Sequence, residues 1–276
     1  MTSLPERTGQ PPGAGRGIGL GAMLRLGALV AGTLALLPLQ VAAMRLAPRR
    51  AGALPRRFHR LACLCLGVRR QVKGTPPPPG TGVLIVANHV SWLDICVLGA
   101  ERKLSFVAKS EVAGWPVIGP LAGLQRTLYI DRQRRGATAG TAALMGARLA
   151  AGDDIVLFAE GTTGDGTRIL PFRSSLLGAA HHAIDDVTVY PLAITYTGTQ
   201  GLPGGRTDRA ALAWYGDTEL LPHLKHVLAS GKIDVELEWG APIVMGRATS
   251  RKDATRLAEA SVRTARRQAV TGRKSG

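Results

Sequence analysis

Aromatic residues are scarce in this chain of 276 residues, where Phe, Trp and Tyr together make up 4% of the sequence. Proteins that bind single-stranded nucleic acid use such side chains as stacking platforms among basic residues, and no aromatic–basic interleaving is present. We therefore expect no nucleic-acid partner, although the net charge is +16. A surface this basic instead favours an anionic membrane or an acidic carrier as the partner.

Cysteine is also rare, with three residues. Cys63, Cys65 and Cys96 have apolar neighbours and lack both CxxC spacing and the spacing of metal ligands. The pattern predicts buried thiols in a reducing compartment and argues against a disulfide framework. The other candidate for metal ligands is segment 181–186, with two adjacent His and two Asp residues. Adjacent side chains on a helix point about 100° apart, so we interpret this segment as a solvated helix end and predict no metal.

Acidic residues are almost absent from the first third of the chain, where only Glu6 precedes Asp94. Residues 26–44 form an uncharged, mostly apolar run containing Pro38, close to the roughly 20 residues that cross a bilayer. The basic flank at 45–73 has no acidic residue and is expected to stay in the cytoplasm. The run is therefore predicted to lie in the inner (cytoplasmic) membrane, crossing it or dipping into one leaflet as a kinked hairpin. A buried core helix is the alternative.

Composition divides the chain into five parts. These are a disordered N-terminus at 1–17, membrane-associated helices with the basic flank at 18–73, a Pro-rich linker at 74–80, a globular domain at 81–248, and a basic C-terminal helix and tail at 249–276. The globular part is predicted to be an α/β domain, with a mixed, mainly parallel central sheet flanked by helices. Strands are predicted at 83–88, 104–108, 127–130, 154–158, 187–196, 210–215 and 233–239, and helices at 91–101, 137–151, 174–184, 217–230 and 250–270.

The stretch 83–94 carries the clearest chemical signal. An apolar run predicts a buried strand, and Ser91 predicts a helix N-cap, which places His89 on the turn at the carboxyl end of the strand, where open α/β sheets bind ligands. If the Asp94 carboxylate holds one ring nitrogen, His89 becomes a general base fixed in tautomer and orientation. Alternatively, Ser91 and Asp94 form a capping box, in which Asp94 only accepts helix-end N–H groups. This stretch alone leaves both interpretations open.

A second polar turn follows the predicted strand at 154–158. It contains Glu160, Gly161 and Thr162, and its glycines let backbone N–H groups approach a ligand. An ordinary tight turn is the alternative. Basic side chains that follow strand candidates or lie near this turn are plausible phosphate contacts, with solvated cations as the alternative: Lys109, Arg132, Arg168 and Arg173.

Taken together, these blocks resemble the glycerophospholipid acyltransferase family, whose bacterial members acylate lysophosphatidic acid. The resemblance covers roughly residues 50–245 and follows four blocks in family order. These are Asn88-His89-x4-Asp94; Lys109-x-Glu111 through Gly119 with Tyr129-Ile-Asp131-Arg132; Phe158-Ala-Glu160-Gly161-Thr162; and Val189-Tyr-Pro191-Leu-Ala-Ile194. Each block is short, but the four in this order and at this spacing are specific.

The resemblance implies a membrane-bound enzyme whose acyltransferase domain is 81–248. His89 would deprotonate a lyso-lipid hydroxyl, Asp94 would orient His89, and the alkoxide would attack the thioester of acyl-CoA or acyl carrier protein. No enzyme nucleophile and no bound cofactor is implied. The head group would be held by the substrate-binding residues Lys109, Arg132, Glu160, Gly161, Thr162, Arg168 and Arg173. The partners would be the lyso-lipid, the acyl carrier and the bilayer.

The sequence departs from the family pattern at two positions. Thr163 stands where the family usually has arginine, and Ala159 where it usually has proline. The expected acceptor is 1-acyl-glycerol-3-phosphate, giving phosphatidic acid, with Arg168 or Arg173 replacing the missing arginine. The stretch 160–176 also resembles acyltransferases that esterify the 3-hydroxyl of a lyso-ornithine lipid, so that acceptor is the alternative. A non-catalytic basic membrane-binding protein is the second alternative.

Overall fold

The computed structural model describes residues 19–47, 51–130, 135–181, 187–246 and 249–272. The helices are α1 (Leu20–Leu46), α2 (Ala53–Cys65), α3 (Leu93–Glu101), a 3-10 turn (Ser110–Gly114), α4 (Ile118–Leu124), α5 (Arg135–Ala150), α6 (Ser174–His181), α7 (Arg206–Leu212), α8 (Leu220–Ser230) and α9 (Arg251–Thr271). The strands are β1 (Val68–Lys73), β2 (Leu84–Ala87), β3 (Ser105–Lys109), β4 (Leu128–Ile130), β5 (Ile155–Phe158), β6 (Val187–Thr199), β7 (Leu202–Pro203), β8 (Ile233–Trp239) and β9 (Ile243–Met245).

The strands form a single mixed sheet in the order β1-β8-β6-β2-β5-β3-β4, and β7 and β9 pair with β6. Strands β6, β2, β5, β3 and β4 run parallel to one another, while β8 runs antiparallel to β6. Every residue of β2 and β5 is buried, because helices cover both faces of the sheet. The predicted α/β fold, with a mixed, mainly parallel sheet flanked by helices, is confirmed.

Two apolar layers form the core, one on each face of the sheet. The first includes Cys63 of α2 with Leu93 and Val97 of α3, and the second includes Met145 of α5 and Val262 of α9. Fully burying side chains of this size contributes roughly 1.5–3 kcal/mol each. All three cysteines are free thiols, and those at positions 63 and 65 are buried, as their apolar neighbours predict.

The basic flank ends in a strand, whereas the sequence predicts helix up to residue 73. Residues 68–73 form β1, which pairs in parallel with β8 at the edge of the sheet. Its basic side chains pair with acidic residues far along the chain: Arg69 with Asp234 at 2.7 Å and Lys73 with Glu236 at 2.6 Å. The flank looked unpaired in the sequence because its partners lie more than 160 residues away. The sheet therefore begins before the Pro-rich stretch.

Other local predictions also need correction. The segment 210–215, predicted as a strand, lies in α7 and the loop after it, and its apolar residues Leu212 and Ala213 pack into the core from there. Ser91 does not cap α3, because the helix begins at Leu93 with Trp92 in the N-cap position. The Ser91 hydroxyl is buried and has no hydrogen-bond partner among the described residues.

Helix α1 is the one described helix long and apolar enough to cross a membrane by length and composition. It continues through Pro38, and its buried residues are Ala22 and Gln40. Large apolar side chains are exposed along it: Leu20, Met23, Leu24, Val30, Leu34, Leu39 and Leu46. The predicted N-terminal apolar helix is therefore present, with an outward face that no described part of the chain covers.

Candidate active site

The site lies at the edge of the sheet where the parallel strands end. Ala87, the last residue of β2, pairs with Phe158 of β5 on one side and with Leu192 of β6 on the other. The residues that follow β2 and β5 are therefore brought side by side. These include His89 and Glu160, which come from two separate polar turns in the sequence.

The imidazole of His89 is held by Asp94. The His89 Nδ1 atom lies 2.8 Å from Asp94 Oδ2, and the Asp94 side chain is completely buried. Asp94 Oδ2 also accepts the backbone N–H groups of Val90 at 2.7 Å and Ser91 at 3.0 Å. The two interpretations of the stretch are thus not exclusive, because one carboxylate both closes the turn and holds the ring.

A tyrosine completes the shell around this carboxylate. Tyr196, on β6, donates its hydroxyl hydrogen to Asp94 Oδ1 at 2.7 Å. Burial raises the pKa of Tyr196, and the adjacent Asp94 charge adds to the effect, so the phenol remains a donor. Tyr196 lies 102 residues from Asp94 in the sequence, and no local pattern marked it as a site residue.

The other side of the His89 ring faces Phe158. The two rings stack with centroids 3.8 Å apart and planes 11° from parallel, while 19% of the His89 side chain is exposed. Since Asp94 accepts from Nδ1, the lone pair lies on Nε2. Nε2 has no hydrogen-bond partner among the described residues, so it is the nitrogen available to accept a proton from a substrate.

Asn88 ties the turn to the neighbouring strand. Its side-chain amide donates to the carbonyl of Ile194 at 3.0 Å, and its side-chain oxygen accepts the N–H of Ile194 at 2.8 Å. This pair of bonds replaces the ladder bonds that β2 stops making at its end, and all the atoms involved are buried. The asparagine beside His89 therefore positions the turn on β6.

Glu160 lies beneath the turn. Its side chain is 2% exposed, and it accepts the backbone N–H groups of His89 and Leu170, each at 3.0 Å. Burial raises the pKa of Glu160 to about 7, while the two N–H groups and Arg263 oppose the shift. The carboxylate thus joins the His89 turn to the loop at 161–173, and its described hydrogen bonds are to backbone groups.

The loop after β5 is closed by small residues. Gly161 has a φ of 73°, a conformation that favours glycine. The Gly164 N–H donates to the carbonyl of His89 at 2.8 Å. A Cβ atom at Gly164 would lie 3.3 Å from Glu160 Oε2, so a larger residue there would press on the carboxylate.

The remaining predicted site residues lie around this centre without contacting it. Lys109 is exposed at the end of β3, and Thr162, Arg168 and Arg173 are exposed on the loop after β5. Arg132 and the histidine–aspartate pattern at 182–186 lie outside the described residues. Among the residues that are described, no three His, Cys, Asp or Glu side chains form a group suited to a metal ion.

Comparison with known proteins gives this arrangement a family. The Acyltransferase family profile matches residues 69–195. The chain is 45% identical over 255 residues to the lyso-ornithine lipid O-acyltransferase of Brucella abortus, covering 91% of this chain and 95% of that protein. This chain belongs to the acyltransferase family. The enzyme class implied by the four sequence blocks is confirmed, and the non-catalytic alternative is set aside.

Further relatives of the acyltransferase lie at greater distance. It is 31% identical over 179 residues to the 1-acyl-sn-glycerol-3-phosphate acyltransferase of Neisseria gonorrhoeae, covering 65% of this chain and 66% of that protein. The crystal structure of the 1-acyl-sn-glycerophosphate acyltransferase PlsC from Thermotoga maritima matches with a TM-score of 0.63 at 19% identity, covering 93% of this chain and 98% of that one. The structural likeness shows a shared fold.

Proposed function

We propose that this acyltransferase moves a fatty acyl group from an acyl thioester to the hydroxyl of a lyso-ornithine lipid. The observation that carries the proposal is the 45% identity, over nearly the whole chain, to a protein named for that reaction. Thr163, which replaces the arginine usual in the wider family, supports it, because a phosphate acceptor calls for a cation there. The second candidate acceptor is 1-acyl-glycerol-3-phosphate, favoured by the exposed Arg168 and Arg173 beside the site.

The geometry suits direct transfer with His89 as general base. Nε2 takes the hydroxyl proton of the acceptor, and the oxygen attacks the thioester carbonyl. The tetrahedral intermediate collapses by breaking the C–S bond, and the departing thiolate recovers the proton from the imidazolium. Asp94 stabilises that cation, and base assistance of this kind typically contributes about 10²–10⁴ in rate. No covalent acyl-enzyme forms.

The contacts of α1 support a seat in one leaflet of the membrane. Near its N-terminus, Arg25 Nη2 donates to the carbonyl of Leu228 at 3.0 Å, and near its C-terminus, Gln40 Nε2 donates to the carbonyl of Leu124 at 2.7 Å. A helix about 40 Å long that touches the rest of the protein near both ends lies along it and does not lead away across the bilayer. Its exposed leucines enter the lipid, which places the enzyme on the cytoplasmic side of the inner membrane.

The function is tested with the full-length protein in mixed micelles. Labelled acyl-CoA and acyl carrier protein are each supplied with lyso-ornithine lipid or 1-acyl-glycerol-3-phosphate. We expect ornithine lipid as the product, and the better thioester identifies the donor. Phosphatidic acid as the only product would establish the second candidate in its place.

The base is tested in the same assay with His89→Ala. We expect a loss of about 10²–10⁴ in kcat. His226→Ala, a half-buried histidine of α8, is the matched control and should retain the wild-type rate. Wild-type turnover by His89→Ala would remove the proposed base.

A further inference from the structure

Two arginines from different helices meet at the loop behind the His89 turn. Arg209, on α7, is 8% exposed and donates from Nη1 to the carbonyl of Gly204 at 2.7 Å. Arg266, on α9, is half-buried and donates from Nη2 to the carbonyl of Gly166 at 2.8 Å. Neither guanidinium forms an ion pair with a carboxylate of the described residues.

Gly166 shows how close this place is to the catalytic turn. It has a φ of 72°, and a Cβ atom there would lie 2.7 Å from the Arg209 carbonyl oxygen and 3.3 Å from a methyl group of Val90. Val90 is the residue after His89, and its carbonyl accepts the N–H of Trp214 at 2.9 Å. The loop that carries Glu160 is therefore packed between the two arginines' elements and the His89 turn.

The carboxylates of this region are occupied by other donors. Glu160 accepts from two backbone N–H groups, as described above. Asp165 accepts from the N–H and hydroxyl of Thr167 and from the N–H of Arg168. Glu259 accepts from the N–H of Phe172 at 2.8 Å and pairs with Arg263 at 2.8 Å. None of them lies within ion-pair distance of either guanidinium.

Uncompensated cations in such a place are unfavourable. Burying a charge is costly unless an opposite charge or a full set of hydrogen bonds replaces its water. The Nε of Arg209 is buried and has no hydrogen-bond partner among the described residues. Burial lowers the pKa of Arg266, and the charge of Arg209 lowers it further. An anion placed between these groups would relieve both the burial and the repulsion.

We propose that Arg209 and Arg266 form a subsite for the anionic group of the lyso-lipid acceptor. Guanidinium groups match carboxylate and phosphate oxygens in pairs of hydrogen bonds, so the ligand is the carboxylate of an ornithine head group or the phosphate of a glycerophosphate. Holding that group beside Gly166 would present the acceptor hydroxyl to His89. The inference rests on the proposed function, since it assumes a lyso-lipid acceptor.

The test compares acceptors that differ in charge. The KM values of lyso-ornithine lipid, its carboxyl methyl ester and 1-acyl-glycerol-3-phosphate are measured with the wild-type protein and Arg266→Gln. We expect the KM of the preferred anionic acceptor to rise about tenfold or more in the variant. The KM of the methyl ester and of the acyl donor should stay unchanged. Arg267→Gln, an exposed neighbour on the same helix, should change none of these values.

Arg209 is tested through a pair of variants, because its burial makes substitution riskier for folding. Arg209→Lys keeps the charge and should keep more of the affinity for the anionic acceptor than Arg209→Gln does, at matched unfolding temperatures. An equal rise in KM for the free carboxylate and its methyl ester, or no rise at all, would overturn the subsite. If the wild type acylates only the glycerophosphate, the proposed acceptor fails while the same comparison on the phosphate arm decides the role of the arginines.

Discussion

Replacing Asp94 with asparagine separates the two roles of its carboxylate. Oδ2 accepts three donors: the ring nitrogen of His89 and the backbone N–H groups of Val90 and Ser91. The two N–H groups cannot reverse, so the amide oxygen of asparagine must take the place of Oδ2. It still accepts from His89 and keeps the ring in the same tautomer. The new NH₂ group then faces the Tyr196 hydroxyl, which can rotate to accept.

The substitution therefore removes a charge and leaves the geometry. When His89 takes a proton, the imidazolium loses an anion whose charge lies about 4 Å away. At an effective dielectric constant of about 20, that attraction is about 4 kcal/mol, which corresponds to about 10³-fold in rate. We expect kcat of Asp94→Asn to fall by about this factor, with the fold retained.

The assay is the initial rate at saturating acyl thioester and lyso-lipid, together with the unfolding temperature in detergent. Asp94→Ala is the companion variant, because it leaves two buried N–H groups and a buried hydroxyl without a partner and should lower the unfolding temperature. The reasoning is refuted if Asp94→Asn works within about threefold of the wild type while Asp94→Ala is destabilised. In that case the carboxylate only closes the turn.

Three further predictions follow from the same contacts. Tyr196→Phe removes one of the four donors to Asp94 and should lower kcat by about tenfold or more without unfolding the protein, a loss of about 1.5–3 kcal/mol; an unchanged kcat would show that this donor does not position the carboxylate. Because burial raises the pKa of Glu160 to about 7, the folded protein binds a proton there that the unfolded chain releases above about pH 4.5, so stability is full below that pH and is lost as the pH rises towards 7. The unfolding free energy of the wild type relative to Glu160→Gln should fall by up to about 1.4 kcal/mol per pH unit across that window, and a flat difference would contradict the raised pKa. Leu34→Glu, on the exposed face of α1, should weaken binding to anionic vesicles at least tenfold because a charge is costly in lipid, whereas Leu202→Glu, equally exposed on β7, should not; equal effects would argue against a lipid-facing α1.

The strand predictions succeeded where the apolar runs were continuous. Residues 84–87 and 155–158 are buried on both faces of the sheet, and such strands need an unbroken apolar run, which is visible in one dimension. Edge elements were less predictable. Strand β1 is largely exposed, and its charged residues depend on partners in β8, so its local pattern resembled that of a basic flank.

The candidate site divides in the same way. The pairing of His89 with Asp94 was predictable because both belong to one strand–turn–helix unit, five residues apart. The inward direction of Glu160 was not, because the group it binds is the backbone of His89, 71 residues away. Sequence spacing placed both residues at the same sheet edge but did not state which one would face the substrate.

The sequence by itself determined the buried strands, the turn that carries the base and the apolar N-terminal helix, because periodicity and turn chemistry are local properties of the chain. Only the tertiary structure decided that Tyr196 reaches Asp94, that Glu160 supports the turn from below, and that α1 lies along the protein. Each of these depends on the register between strands or helices far apart in the chain. That register is set by the packing of the whole sheet, which no single stretch of sequence specifies.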